Sequence, residues 1–166
     1  MAGEVLRFAL DQNFPPLLPG ALPLLPEVEV LPIHKIDHRM SDLGDRELVI
    51  ALHQLGWNGL ITNNYKMLYQ PTEIAAILKT KLVIFAVQGV GDDPVRATGS
   101  VLLDLPGAIK RASEQCHVFL VHPRNPTPRE GWEFFKDAAT RRKRNPGELY
   151  REVCITDDEL KTPVLA

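Results

Sequence analysis

Cysteine is scarce in this chain: only Cys116 and Cys154 occur, in no metal-ligand or redox spacing. They read as reduced, structural thiols, as expected of a cytosolic protein. No apolar run approaches the roughly 20 residues needed to cross a bilayer. The start Met-Ala-Gly-Glu lacks the basic opening and long apolar stretch of a signal peptide. A soluble, cytoplasmic protein without a membrane partner is therefore expected. Net charge is only −2, so the field of the whole molecule gives no case for binding nucleic acid. Histidines 34, 38, 53, 117 and 122 form no ligand pair on a shared helix and read as surface or loop residues. No glycine-rich phosphate loop follows the first apolar run, which argues against a nucleotide or dinucleotide site.

What is present is ordinary globular composition, with 45% apolar and 24% charged residues. A chain of 166 residues can bury a real core, and one domain over residues 1–155 with a C-terminal tail, 156–166, is expected. Val5–Leu10 reads as a buried strand. The prolines between Phe14 and Pro26 permit at most a short helix from Pro15 or Pro16, followed by irregular chain. Val28–Leu31 alternates as a short strand, and Ile33–Leu43 reads as a loop.

Asp45–Gly56 has the clearest helical period, with Leu48, Leu52 and Leu55 in step and Asp45 or Asp42 available as its cap. Gly59–Thr62 and Leu82–Val87 read as strands on either side of a helix over Thr72–Leu78. Val95–Cys116 reads as one or two helices interrupted at Pro106-Gly107, and His117–Val121 as a last strand. Arg129–Arg144 reads as an amphipathic helix with Trp132, Phe135 and Ala139 on one side. Strands alternating with helices at this rhythm predict a three-layer α/β/α sandwich around a central, mostly parallel sheet.

In such sheets ligands bind beyond the carboxyl ends of the strands. Asp11 ends the first strand, Asp45 opens a helix, and Asn64 follows the strand Gly59–Thr62. All three are oxygen donors of the kind Mg²⁺ and Mn²⁺ prefer. Such an ion can activate a water and neutralise a phosphate ester. Asp92 and Asp93 follow the Leu82–Val87 strand and offer a further carboxylate, and Glu47 can ligate or orient a water. Each residue also has a purely local reading. Asp11 and Asp45 can be caps, Asn63-Asn64 a turn pair, and Asp92-Asp93-Pro94 a helix start. The run Arg141–Arg144 is either a solvated helix end or a contact for phosphate or an acidic partner. Trp132, Phe134 and Phe135 read as core.

Three short stretches in this order resemble the PIN-like domains, in particular the small-protein branch related to VapC toxins of bacterial toxin–antitoxin systems. That branch begins with a strand ending Asp-Glu-Asn-Leu-Pro. It continues with a helix opening Ser-Asp-Glu-Glu-Ile and a strand ending Thr-Asn-Asp, followed shortly by Asp-Phe. Here the corresponding residues are Asp11-Gln12-Asn13-Phe14-Pro15, Gly44-Asp45-Arg46-Glu47-Leu48 and Thr62-Asn63-Asn64-Tyr65-Lys66-Met67. The similarity covers roughly the first half of the chain. It implies a Mg²⁺- or Mn²⁺-dependent ribonuclease, with RNA as substrate and an antitoxin protein and a second copy of the chain as partners. Asp11 and Asp45 then match family acids, Asn64 takes the place of an aspartate, and Lys66 falls where another acid often lies. An amide coordinates through oxygen but adds no charge, so the chain is either a weakened nuclease or one that completes its site with Asp92 or Asp93. A binding module descended from a nuclease is the alternative.

Overall fold

The computed structural model describes residues 3–122 and 127–166, and places a six-stranded sheet at the centre of the chain. Its strands are β1 (Leu6–Leu10), β2 (Val28–Pro32), β3 (Gly59–Thr62), β4 (Val83–Val87), β5 (Val118–Val121) and β6 (Thr127–Arg129). Their spatial order is β2-β1-β3-β4-β5-β6, with the first five parallel and β6 antiparallel to β5. The expected α/β architecture with a mostly parallel sheet is therefore present.

The inner strands β3, β4 and β5 are apolar because both faces are covered. Neighbouring residues on a strand point to opposite faces. Thus Phe8, Leu10, Ile61, Phe85 and Val87 enter one core, while Ala9, Leu60, Ile84 and Ala86 enter the other. The first core is closed by α4 (Pro94–Arg111) together with Phe14 and Leu25. The second is closed by α2 (Asp45–Gln54), α3 (Pro71–Thr80), α5 (Gly131–Arg141) and α6 (Pro146–Val153). Gly59 makes the strand contacts possible. A Cβ there would lie 2.3 Å from Cε1 of Phe8 and 2.7 Å from the Val83 carbonyl oxygen.

Several elements differ from the sequence expectation, each for a physical reason. No helix starts at Pro15 or Pro16; residues 15–18 have no regular structure, and the first helical turn is a 3-10 turn at Leu22–Leu24. Ile33–Leu43 is not a plain loop. It forms α1 (Ile33–Ile36) and a 3-10 turn at His38–Asp42, which bury Ile33 and Met40. One continuous α4 runs through Pro106. Burial of Val101, Leu105 and Ala108 along one face outweighs the hydrogen bond that the proline removes. A terminal α7 (Asp157–Lys161) follows α6.

The end of the chain is tied to α2. The Gln54 amide donates to the carbonyls of Leu160 and Thr162 at 3.1 and 2.6 Å and accepts from Val164 N at 3.0 Å, while Arg46 pairs with Glu159. No helix among the described residues is long and apolar enough to cross a membrane.

Candidate functional site

The sheet reverses its winding between β1 and β3. From β1 the chain steps outward to β2 on one side, then crosses back to β3 on the other. The connections diverge there, leaving a crevice beyond the carboxyl ends of these two strands. Asp11 emerges at that point from β1, its N–H bonded to the Ile61 carbonyl of β3 at 2.9 Å. Thr62, fully buried at the end of β3, donates its hydroxyl to Asp11 Oδ2 at 2.7 Å. The same hydroxyl accepts the Asn64 N–H at 2.9 Å, and the Asn64 amide donates to Asp45 Oδ2 at 2.8 Å. Asn63 fastens the two loops by donating to the Asn13 carbonyl at 2.8 Å. A continuous chain of hydrogen bonds thus joins Asp11, Thr62, Asn64 and Asp45 across the switch point.

Asp45 reaches this chain because it is not the cap of α2. Gly44 is the cap, Asp45 is the first helical residue, and no side chain caps the helix. The Glu47 carboxylate folds back over Gly44, so close that a Cβ on Gly44 would stand 2.7 Å from Glu47 Oε2. Burial pushes the Asp45 carboxyl above its usual range, and the charges of Asp11, Glu73 and Glu47 add to that push. The Asn64 hydrogen bond pulls the other way. Two aspartates therefore hold negative charge close together in a partly desolvated crevice.

Residues 6–89 match a family model described as a PIN like domain. The chain belongs to the PIN-like family. No match was found among curated proteins or among solved structures. The matched segment of this PIN-like domain runs from the start of β1 to just beyond β4, and so contains Asp11, Asp45, Thr62, Asn64 and Glu73. The fold is thereby of the nuclease type.

Asp11, Asp45 and Asn64, singled out from the sequence, come together at one crevice. Asp93 is engaged elsewhere. It caps α4, its Oδ1 accepting from Val95 N at 3.0 Å and Arg96 N at 3.1 Å, and it lines a cleft along that helix with Ser100 and His122. Asp92 is exposed in the preceding turn. Lys66 is exposed in the 3-10 turn Tyr65–Tyr69. Among the described residues no group of three or more His, Cys, Asp or Glu side chains is arranged to hold one metal ion.

The sequence alone did not single out Thr62 as a partner of Asp11, nor Glu73 as a charge on Asp45. Glu73 stands in the first turn of α3, two residues after Pro71, and that helix-start pattern was the available signal. His117 also departs from expectation. It is buried against Leu82, whose carbonyl lies 2.9 Å from Nδ1, and its Nε2 has no hydrogen-bond partner among the described residues.

Proposed function

We propose that this PIN-like protein is a Mg²⁺- or Mn²⁺-dependent endoribonuclease, with Asp11, Asp45 and Asn64 as its site. The observation that supports this most is the hydrogen-bond chain that brings the Asp11 and Asp45 carboxylates to one switch point, where the charge of Asp11 adds to burial in raising the Asp45 pKa. A divalent cation between them would offset that charge. The donors fit such an ion. Mg²⁺ is commonly held by one or two carboxylates, with waters and substrate phosphate completing its shell. Asp11, Asp45 and the amide oxygen of Asn64 would hold it. The chemistry it supplies when bound is activation of a water and neutralisation of charge on the phosphodiester.

The protein's own groups prepare the arrangement. Thr62 fixes the Asp11 carboxylate through Oδ2, and Asn64 does the same for Asp45, while the Oδ1 of each accepts no hydrogen bond among the described residues. Asn64 adds no charge, and Glu73 and Glu47 contribute negative potential from further out. Asp93 stays at the α4 cap. Resemblance to the toxin branch extends the proposal to a cytoplasmic toxin, held in check by an antitoxin protein and paired with a second copy.

The test is cleavage of a labelled mixed-sequence RNA with Mn²⁺ or Mg²⁺ by the wild type and by Asp11→Asn. Metal-dependent cleavage that falls about 100-fold or more in the variant is expected. Equal cleavage by Asp11→Asn would remove that residue from the site. A second reading draws on Asn64 standing where the branch carries aspartate: a PIN-like module that binds RNA or a protein without cutting it. Calorimetry separates the two, since a stoichiometric Mn²⁺ site lost in Asp11→Asn contradicts the second reading.

A further inference from the structure

The 3-10 turn Tyr65–Tyr69 begins one residue beyond Asn64, and the end of α5 packs on it. The Arg141 guanidinium lies over the Tyr69 ring, 4.7 Å from its centre, and Tyr65 meets Tyr69 edge-on at 6.3 Å. Arg142 braces the junction by donating to the carbonyls of Tyr69 and Ala138, both at 3.2 Å, and to Gln70 Oε1 at 3.0 Å. Arg144 is paired with Glu152. That leaves Lys66, Arg141 and Lys143 exposed, with no carboxylate at ion-pair distance among the described residues.

A helix C-terminus favours cations. That accounts for Arg142, which bonds the last turn, but less well for Lys143. Lys143 has φ 54, and Arg144 N closes α5 on the Ala139 carbonyl at 3.0 Å. This left-handed closing position suits glycine, and any other side chain there is disfavoured by roughly 1 kcal/mol. A strained lysine therefore stands in a group of cations at the same end of the sheet as the acidic crevice. With a net charge of −2, any attraction of a polyanion has to come from a local patch rather than from the total field.

We propose that Lys66, Arg141 and Lys143, with Tyr69 beneath Arg141, form a rail that holds the phosphate backbone of single-stranded RNA running out of the crevice. Cations along a strand beside aromatic rings are the arrangement by which proteins hold single strands without reading sequence. The inference rests on the nuclease reading for the identity of the strand. It extends the interface to α5, beyond the residues that match the family model.

The probe is a short labelled single-stranded RNA of mixed sequence, with binding followed by fluorescence anisotropy in EDTA over a series of KCl concentrations. Lys143→Gly and Lys66→Gln are each expected to weaken binding several-fold. Each should also flatten the plot of log affinity against log salt by about 0.7 for every phosphate left without its cation. Lys143→Gly removes the strained residue in favour of glycine, so its Tm should hold or rise, and weaker binding cannot be blamed on unfolding. Lys81→Gly is the control: another lysine at positive φ, 60, closing α3 at the opposite end of the sheet, and it should bind like the wild type.

Unchanged affinity and slope in both Lys143→Gly and Lys66→Gln would overturn the rail, as would an equal loss in Lys81→Gly or a wild type that does not bind the RNA. The two proposals fail separately. Wild type that binds through the rail but never cleaves ends the nuclease reading alone, whereas wild type that cleaves while Lys143→Gly and Lys66→Gln bind normally ends the rail alone.

Discussion

With Gly44 serving as the cap of α2, the Asp45 carboxylate is free to turn across to Asn64, into the field of Asp11, Glu73 and Glu47. Its folded pKa is raised by burial first and by those charges next. The folded state therefore holds this proton more tightly than the unfolded chain does. The ionised carboxylate opposes folding at neutral pH, and the opposition disappears as pH falls through the raised pKa to below the ordinary value of 3.8. Asp45→Asn should thus be more stable than the wild type at pH 7 in EDTA, while under the proposed function its cleavage activity should be lost. Thermal melts across pH check this: the margin should shrink on acidification and vanish below about pH 4, and a margin that grows would contradict the account. At this scale the meeting of Asp11, Asp45 and Asn64 at one end of the sheet was legible because polar residues at strand ends and at the following helix start lie on the ligand-binding side of such sheets. Thr62 and Glu73 were not. Their roles depend on which strand lies beside β1 and on where α3 begins in space, and a linear pattern carries neither.

The five parallel strands were legible to within a residue or two because most are short apolar runs covered on both faces, as in Gly59–Thr62 and Val83–Val87. The polar β6, Thr127–Arg129, beyond the strand read as the last, was not. Helices whose signal competes with proline or with short length were not. Ile33, Ile36 and Met40 carry a helical spacing inside a stretch that reads as loop by its polar residues. In α4 the break implied by Pro106 loses to burial of one face. The start of α4 was legible in Asp92-Asp93-Pro94, and it sets a prediction for the element. Asp93→Ala removes an acceptor that serves two N–H groups and should cost about 1 kcal/mol by urea unfolding. Metal-dependent cleavage should be unchanged, because Asp93 is bound to α4 and is not among the charges acting on Asp45. Loss of metal binding in this variant would bring Asp93 back into the site.

Across the whole molecule the family match stops at residue 89, yet β5, α5, α6 and α7 complete the structure and close the core over α2 and α3. We infer that the chain after Ile155 belongs to the same folded unit. Leu160, Val164 and Leu165 pack against the core on the α2 side, the Gln54 amide holds three backbone groups, and Arg46 and Lys79 pair with Glu159 and Asp157. The ion pairs are partly exposed and add little. The partly buried apolar side chains and the Gln54 bonds contribute more, on the order of 2 kcal/mol together. A chain ending at Ile155 should therefore fold but melt lower by about 4–8 °C, which differential scanning calorimetry can measure. Arg46 directly follows Asp45, so loss of Glu159 also removes the anchor of the residue next to the crevice. The truncated protein should bind Mn²⁺ more weakly by calorimetry, well below its melting range. An unchanged melting temperature would show residues 156–166 to be a loosely attached tail, and unchanged Mn²⁺ affinity would separate the Arg46–Glu159 pair from the site.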